Sequence, residues 1–483
     1  TASNSNVSGD VAVGGGSFAS SGTNSSGAIQ RGVSVGYKAS TYGGVAIGDS
    51  AGSGGVDVVS TAVGAGTTAS GGASIAIGSS KANATNATQT NTIAIGNGAQ
   101  ATAYGAMALG SGGSIDTVGA QATGERATAL GSVSLASGLR ATAVGSRSTA
   151  GNESATALGA FSNASGKSSV ALGDSAKSSA QSAVAIGAVA VANTSDSIAI
   201  GSSANISGSA GKGIAIGYKA KSVEGAIAIG ENASAESTVV SGVAWISVAV
   251  GAESIAKGRD AGAFGTKAHA EADFATAVGN YANASARNAT AVGNAASASG
   301  VGSSAFGNFS NATGSNATAI GGGGVAGSFQ GAQALADGAT AVGGNDVKGA
   351  TASGKNATAI SGQSQATAEN AIAIGLGAQA TAKDAISIGT KNVVSGEGSG
   401  AIGDPTTITG SGTYSVGNNN GTIAANNSGV FGNNNTLTGA LDGVRVIGNT
   451  NTVSADGAMV MGNNATVSAA DGVALGSNTS VTK

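Results

Sequence analysis

The sequence predicts an all-β solenoid, a parallel β-roll whose coils take about 14 residues each, and three observations carry that prediction. A small-apolar-glycine signature recurs every fourteen residues at Gly131, Gly145, Gly159, Gly173, Gly187 and Gly201. The residues before each of these anchor glycines alternate with period two. Glycine supplies 85 of 483 residues while Pro405 is the single proline, which excludes collagen and fits no ordinary disordered linker. The signature runs from Val11–Gly14 to Val473–Gly476, with further steps of fourteen from Gly251 to Gly321 and from Gly375 to Gly417. Some thirty anchors make the chain one array, expected to form a narrow fibre.

The residue before the anchor is aliphatic, as at Leu130, Val144, Leu158, Leu172 and Ile186, and two positions earlier it is β-branched, as at Thr128, Thr142, Thr156, Val170 and Val184. Alanine lies between them, so this first strand has a β-branched face and an alanine face. After the anchor, Ala or Ser at plus three and plus five marks a second alternating strand: Ala176 and Ser178, Ala190 and Ala192, Ala282 and Ala284. Fourteen residues at ~3.3 Å give a perimeter of at most ~46 Å, which two strands of about five residues and two tight turns use up. The anchor glycine serves a positive φ or a close backbone approach where the first strand turns into the second. Each coil offers few sizeable aliphatic groups, so one chain alone reads as underpacked. The expectation is that the β-branched rows point into each roll and the alanine rows face partner subunits.

Composition narrows the function. Charged residues are 9% and the formal charge is −3, leaving no electrostatic footprint for nucleic acid or an anionic membrane. Cysteine is absent, which removes disulfides and thiolate metal sites. No uninterrupted apolar run reaches the ~18 residues of a membrane helix; the nearest, Val239 to Ala252, is broken by serines and glycines. The opening TASNSNVSGD is not a basic and apolar leader, and the chain reads as a segment of a longer exported protein. No direct membrane insertion by this segment is expected.

Catalytic chemistry finds no support. His269 is the only histidine and reads as an exposed outer-strand residue, so no hydrolytic triad forms. The carboxylates are scattered singly, without a calcium-roll motif, and the glycines at Gly321–Gly324 lack the lysine of a phosphate loop. The expectation is no enzyme, no cofactor and no metal. Asn-x-Ser/Thr sequons such as Asn163 and Asn283 arise from composition and are read as incidental. Charge gathers in the turn that closes each coil: Arg126 and Arg140 share the register five before the anchor, and Glu125, Glu153 and Lys167 share the next. These columns form either a solvated face or a mixed-charge surface for protein ligands. Phe161, Tyr281 and Phe309 lie two residues after their anchors; they are candidate ligand contacts, or else pack at a subunit interface. Trp245, in the long gap before Gly251, is read as a residue that tips a loop.

The repeats resemble the YadA-like head of trimeric autotransporter adhesins. The resemblance rests on SIAIG at Ser74–Gly78, SVALGDS at Ser169–Ser175, SAVAIG at Ser182–Gly187, DSIAIGSSA at Asp196–Ala204 and NAIAIG at Asn370–Gly375, and it spans nearly all of the chain. It implies a homotrimer of left-handed parallel β-rolls on the surface of a Gram-negative bacterium. Such a fibre is anchored in the outer membrane by a C-terminal region outside this segment. It binds host extracellular-matrix proteins or cells, or mediates autoaggregation and biofilm formation. A passive structural fibre projecting a distal binding domain is the alternative; an ice-binding face is a third, disfavoured because Thr at minus three gives way to Val and Ile. The collagen-linked motif of some family members is matched imperfectly, and the repeat residues are read as architectural.

Residues 1–403 are assigned to head repeats with occasional insertions, and 404–483 to an Asn-rich continuation of the same roll. Longer gaps at Gly14–Gly36, Gly110–Gly131, Gly230–Gly251 and Gly321–Gly343 are each an outward loop or a coil whose anchor has drifted, and Lys81–Thr92 is a further candidate loop. In the Asn-rich part, Asn418–Asn420 and Asn433–Asn435 follow their anchors. Stacked asparagines of this kind are expected to form ladders within the solenoid rather than a separate module.

Overall fold

Strands of two to four residues and the turns between them make up the chain, with no helix among the described residues. The computed structural model describes residues 4–5, 9–23, 27–54, 59–79, 84–112, 118–209, 211–240, 243–323, 330–345 and 347–482. It divides into two units, Thr1–Ala244 and Trp245–Lys483, and each is a parallel β-solenoid of the same coil.

In the first unit, Thr128–Leu130 is a first strand and Leu135–Ala136 a second strand. One coil on, Thr142–Val144 and Thr149–Ala150 lie beside them, parallel and in register, with Thr128 opposite Thr142 and Leu135 opposite Thr149. The second unit repeats the pattern in Thr276–Val278 and Asn283–Ala284, paired with Thr290–Val292 and Ser297–Ala298. First strands of three or four residues and second strands of two or three both fall short of the expected five because both turns consume chain. Each turn has a left-handed residue, two after the anchor (Val133, φ 58°; Arg147, φ 54°) and five before the next (Arg140, φ 58°; Ser154, φ 54°). A β-branched residue such as Val133 is disfavoured there. The turns are held nonetheless, because their amides bond to the preceding coil, as Arg147 N–H does to Ser132 O at 2.9 Å.

The anchor glycine is needed for both reasons anticipated. Gly145 has φ +125°, and a Cβ there would lie 2.5 Å from the carbonyl oxygen of Gly159 in the next coil. Gly145→Ala is therefore expected to lose about 2 kcal/mol or more, since a strained backbone and a backbone clash coincide; equilibrium denaturation of the variant checks this. Behind the anchor, Ser134, Ser148 and Ser162 donate their hydroxyls to the anchor carbonyls at 3.0, 2.9 and 2.8 Å, which satisfies polar groups that the turn encloses.

The two faces of the first strand are reversed relative to the sequence reading. Ala129, Ala143 and Ala157 of the first strand and Ala122, Ala136 and Ala150 of the second are fully buried in one core. Thr128 and Leu130 point outward, Leu130 at 45% exposure. A cross-section closed by such short strands, with neighbouring anchors at contact distance, has room for one methyl group from each side. Alanine fills it, and two facing β-branched side chains would overpack it.

Towards the C-terminus the core changes. Val394, Ile408, Ile423, Val446, Val453, Val460 and Val467 take over the buried positions, and buried asparagines appear with them. Asn420 Oδ1 accepts from Asn435 N–H at 2.9 Å, Asn435 Oδ1 accepts from Asn451 N–H at 3.0 Å, and Asn435 Nδ2 donates to Gly448 O at 2.8 Å. A second ladder runs along the position after each anchor: Asn433, Asn449 and Asn463 accept from the amides of Asn418, Asn433 and Asn449 at 2.7 to 2.8 Å. The expected asparagine ladders are therefore present. Asn435→Ala would leave the Asn451 amide buried without its acceptor, and a loss of about 2 kcal/mol in denaturant unfolding is expected.

The long gaps are insertions, where they are described. Val11 pairs directly with Val33, Met107 with Thr128 and Thr318 with Thr340, so each gap spans a single coil. The first adds an antiparallel hairpin of Gly22–Thr23 and Ile29–Gln30. Strands Thr238–Val240 and Val243–Trp245 lie within the Gly230–Gly251 gap. In the Lys81–Thr92 stretch Asn86–Ala87 is an ordinary second strand, and Lys81–Asn83, like Gly324, lie outside the described residues.

Candidate interaction surface

The outward side of the first strands is an extended apolar surface in each unit. It presents two rows, at minus one and minus three from the anchor. In the first unit the minus-one row includes Ile77, Ile95, Leu130, Leu158, Leu172 and Ile229; in the second it includes Phe264, Val278, Phe306, Ile320, Phe431 and Ile447; all are exposed in the single chain. Exposed apolar surface on this scale marks an interaction site.

The face is also levelled. Three of its minus-three positions in the second unit are glycines, and each lies beneath a large side chain. A Cβ on Gly262 would lie 2.9 Å from Phe264 Cε2, one on Gly400 would lie 2.7 Å from Tyr414 Cε1, and one on Gly429 would meet Phe431 at 3.4 Å and the Arg445 stem at 3.6 Å. Bulk added at one position is offset by its removal at a neighbour. Water does not require such matching; a closely packed protein surface does.

None of the residues singled out from sequence lies on this face: Arg126, Arg140, Phe161, Tyr281 and Phe309 are in the turn columns, and Trp245, expected to tip a loop, instead ends the inserted strand Val243–Trp245. Arg126 and Arg140 are exposed, in left-handed turn conformations. Arg126 stands over the Tyr104 ring at 5.8 Å. Arg140 bonds Glu153 at 2.9 Å, and Lys167 reaches the same carboxylate at 2.7 Å; hydrogen bonding from Lys167, with Arg140 behind it, holds Glu153 below the usual carboxylate range. Phe161 is 52% exposed under Arg147, 5.6 Å from its ring centre. In the second unit, Tyr281 lies under Lys267, whose Nζ is 3.5 Å from the phenol oxygen; that contact, then Glu253, raises the Lys267 pKa. Phe309 is half-buried in the same column as Tyr281, beside Ser297, Asn311 and Gln333. Trp245 is half-buried and packs edge-on against Phe274 with centroids 5.9 Å apart. His269 is half-exposed on its strand, 3.7 Å from Glu271. The six candidates do not converge on one site. Sequence reading missed the levelled face itself, although the pairing of strand glycines with neighbouring aromatics was there to be read.

Beside Phe274, Asp273 accepts from Arg259 Nε at 2.8 Å and from its backbone amide at 2.9 Å. These bonds hold the Asp273 carboxyl below the usual range. A carboxyl with a lowered folded-state pKa stabilises the fold above its unfolded pKa, and that contribution is lost as pH falls through the folded value. Thermal melts of the wild type are thus expected to lose stability below the ordinary carboxylate range, and Asp273→Asn to show a smaller loss over that interval.

A comparison with protein families identifies the coils. The family of the YadA head domain repeat, described in units of two copies, matches residues 60–80, 87–112, 118–134, 122–148, 136–162, 150–176, 164–190, 178–204, 256–282, 270–296, 284–310, 298–323, 352–378, 380–404 and 447–479, more than half of the chain. The chain belongs to the YadA head family. A comparison with curated proteins finds no match. YadA heads are parts of adhesin-type surface fibres, a class that is typically not enzymatic. The matches to this YadA head include 380–404 and 447–479, where valine has replaced alanine in the core at Val394, Val453, Val460 and Val467. Among the described residues no cluster of His, Cys, Asp or Glu offers a metal site.

Proposed function

We propose that this YadA head is a homotrimer of left-handed rolls associated through the first-strand face, and that the trimer is an adhesin head on a Gram-negative cell surface. The observation that carries self-association is the levelled apolar face, on which Gly262, Gly400 and Gly429 accommodate Phe264, Tyr414 and Phe431. With that face covered, the turn columns with Arg126, Arg140, Phe161, Tyr281 and Phe309 stay open, as does the insertion that carries Trp245. Three copies repeat each of these contacts, so weak individual contacts to a host matrix protein, a host cell or another bacterial cell gain avidity. Residues 404–483 continue the roll as its Asn-rich part, and outer-membrane anchoring belongs to a C-terminal region outside this chain.

The test is adhesion of the purified segment to immobilised matrix proteins and host cells, with autoaggregation of bacteria displaying it. Phe161→Ala together with Tyr281→Ala is expected to weaken binding while leaving the molar mass unchanged. Binding that survives these changes and the removal of whole coils would sink the head reading and leave a passive spacer that projects a distal domain.

A further inference from the structure

Within each unit the first-strand face repeats closely from coil to coil over long stretches, and that creates a problem of register. Most coils repeat at fourteen residues and stack ~4.8 Å apart, so sliding one copy past another by one coil mostly sets Thr or Ile against the same at minus three and aliphatic against aliphatic at minus one. Pairing between such periodic surfaces is weakly specified unless something breaks the period. Among the described outward positions of the first strands, minus one and minus three, one side chain carries charge: Arg445.

Its placement is specific. The aliphatic stem lies over Gly429 of the preceding coil, 3.6 Å from where a Cβ would be. Nη1 donates to Asn427 O and, at 3.0 Å, to Val444 O. The guanidinium therefore reaches the rim of the face, where Asn427 Nδ2 also donates to Asp442 Oδ1 at 2.9 Å. The rows on either side are apolar: Tyr414, Val416 and Phe431 before it, Met459, Met461, Val473 and Leu475 after it.

We infer that Arg445, seated over Gly429, sets the axial register in which copies of this chain associate; the inference rests on the self-association proposed above. In register, the unused guanidinium donors of one copy stand level with the rim turn of the next, which offers the acceptors of the partner's Asn427 and the partner's Asp442. Slipped by one coil, the same guanidinium lies beside Met459 and Met461 and meets Gly443 and Asp456 where Asn427 and Asp442 stood, so it leaves the turn that its stem and donors fit. A single polar group in an apolar interface is a known means of choosing one alignment among near-equivalents.

The chain has no cysteine, so single cysteines report alignment cleanly. Ile447→Cys and Met461→Cys chains are co-expressed, assembled and joined with a short bis-maleimide, and the linked peptides are read by mass spectrometry. With Arg445 present, only 447–447 and 461–461 links are expected. With Arg445→Met in both chains, 447–461 links are expected to appear at yields comparable to the like pairs, with an unchanged β circular dichroism spectrum. Like-only links in the Arg445→Met assembly, or mixed links in the wild type, overturn the inference. A trimer mass without any link also overturns it, by removing Arg445 from the contact. A monomer mass by light scattering instead defeats the self-association reading itself.

Discussion

Replacing Ala185 and Ala199 with aspartate is expected to unfold the roll locally and to abolish the native β spectrum of that region. Both alanines are fully buried and face each other across adjacent coils, Ala185 opposite Ala199. An unpaired carboxylate in such an enclosure costs several kcal/mol, and two of them compare with the whole stability of an ordinary domain, about 5–15 kcal/mol. Ala185→Val is the milder probe, with a loss of about 1–3 kcal/mol from overpacking. Circular dichroism with limited proteolysis checks both. Had alanine faced a partner, the aspartates would have changed the molar mass and left the roll folded; an intact roll in the double variant would refute the orientation of the strands described above.

The complementary change, Leu158→Asp with Leu172→Asp, is expected to leave the roll folded and to reduce the proposed trimer to single chains. These leucines are 43% and 37% exposed and neighbours in one row, so the single chain loses little by the change. An associated trimer would bring six carboxylates into one desolvated patch, and removal of apolar contact adds to that cost. Thr149→Asp, on the outward side of a second strand, is the control and is expected to leave the mass unchanged. Light scattering at several concentrations reads the result. A trimer that survives Leu158→Asp and Leu172→Asp would move the interface elsewhere on the molecule.

The repeat, the two alternating strands of each coil and the role of the anchor glycine were legible in the sequence because each is a local property. Gly145 needs its conformation and its close approach to Gly159 whatever surrounds the coil, and Thr142–Ala143–Val144 alternates because a strand alternates. The asparagine ladder was legible for the same reason, since residues at one register of a solenoid must stack. Arg126, Arg140, Phe161, Tyr281 and Phe309 lie in the turns because their register fixes them there, whereas Trp245, read as tipping a loop, ends the strand Val243–Trp245 and packs against Phe274, a long-range contact that no local pattern encodes.

Which side of the first strand is the inside was not legible. Period two defines two faces and does not label them, and the usual rule that the larger apolar residue goes inward points the wrong way here. The label is set by the width of the closed coil, which depends on how closely the two sheets approach once both turns and the stacked anchors are formed. Only the tertiary structure contains that distance. At Ala129 and Ala136 it leaves room for methyl groups; at Val446 and Val460 it admits valine. The sequence by itself determined a parallel solenoid of fourteen-residue coils. The tertiary structure decided that alanine is the core and that the β-branched and aliphatic rows form the outer face, because burial in a narrow roll is limited by space before it is driven by hydrophobicity.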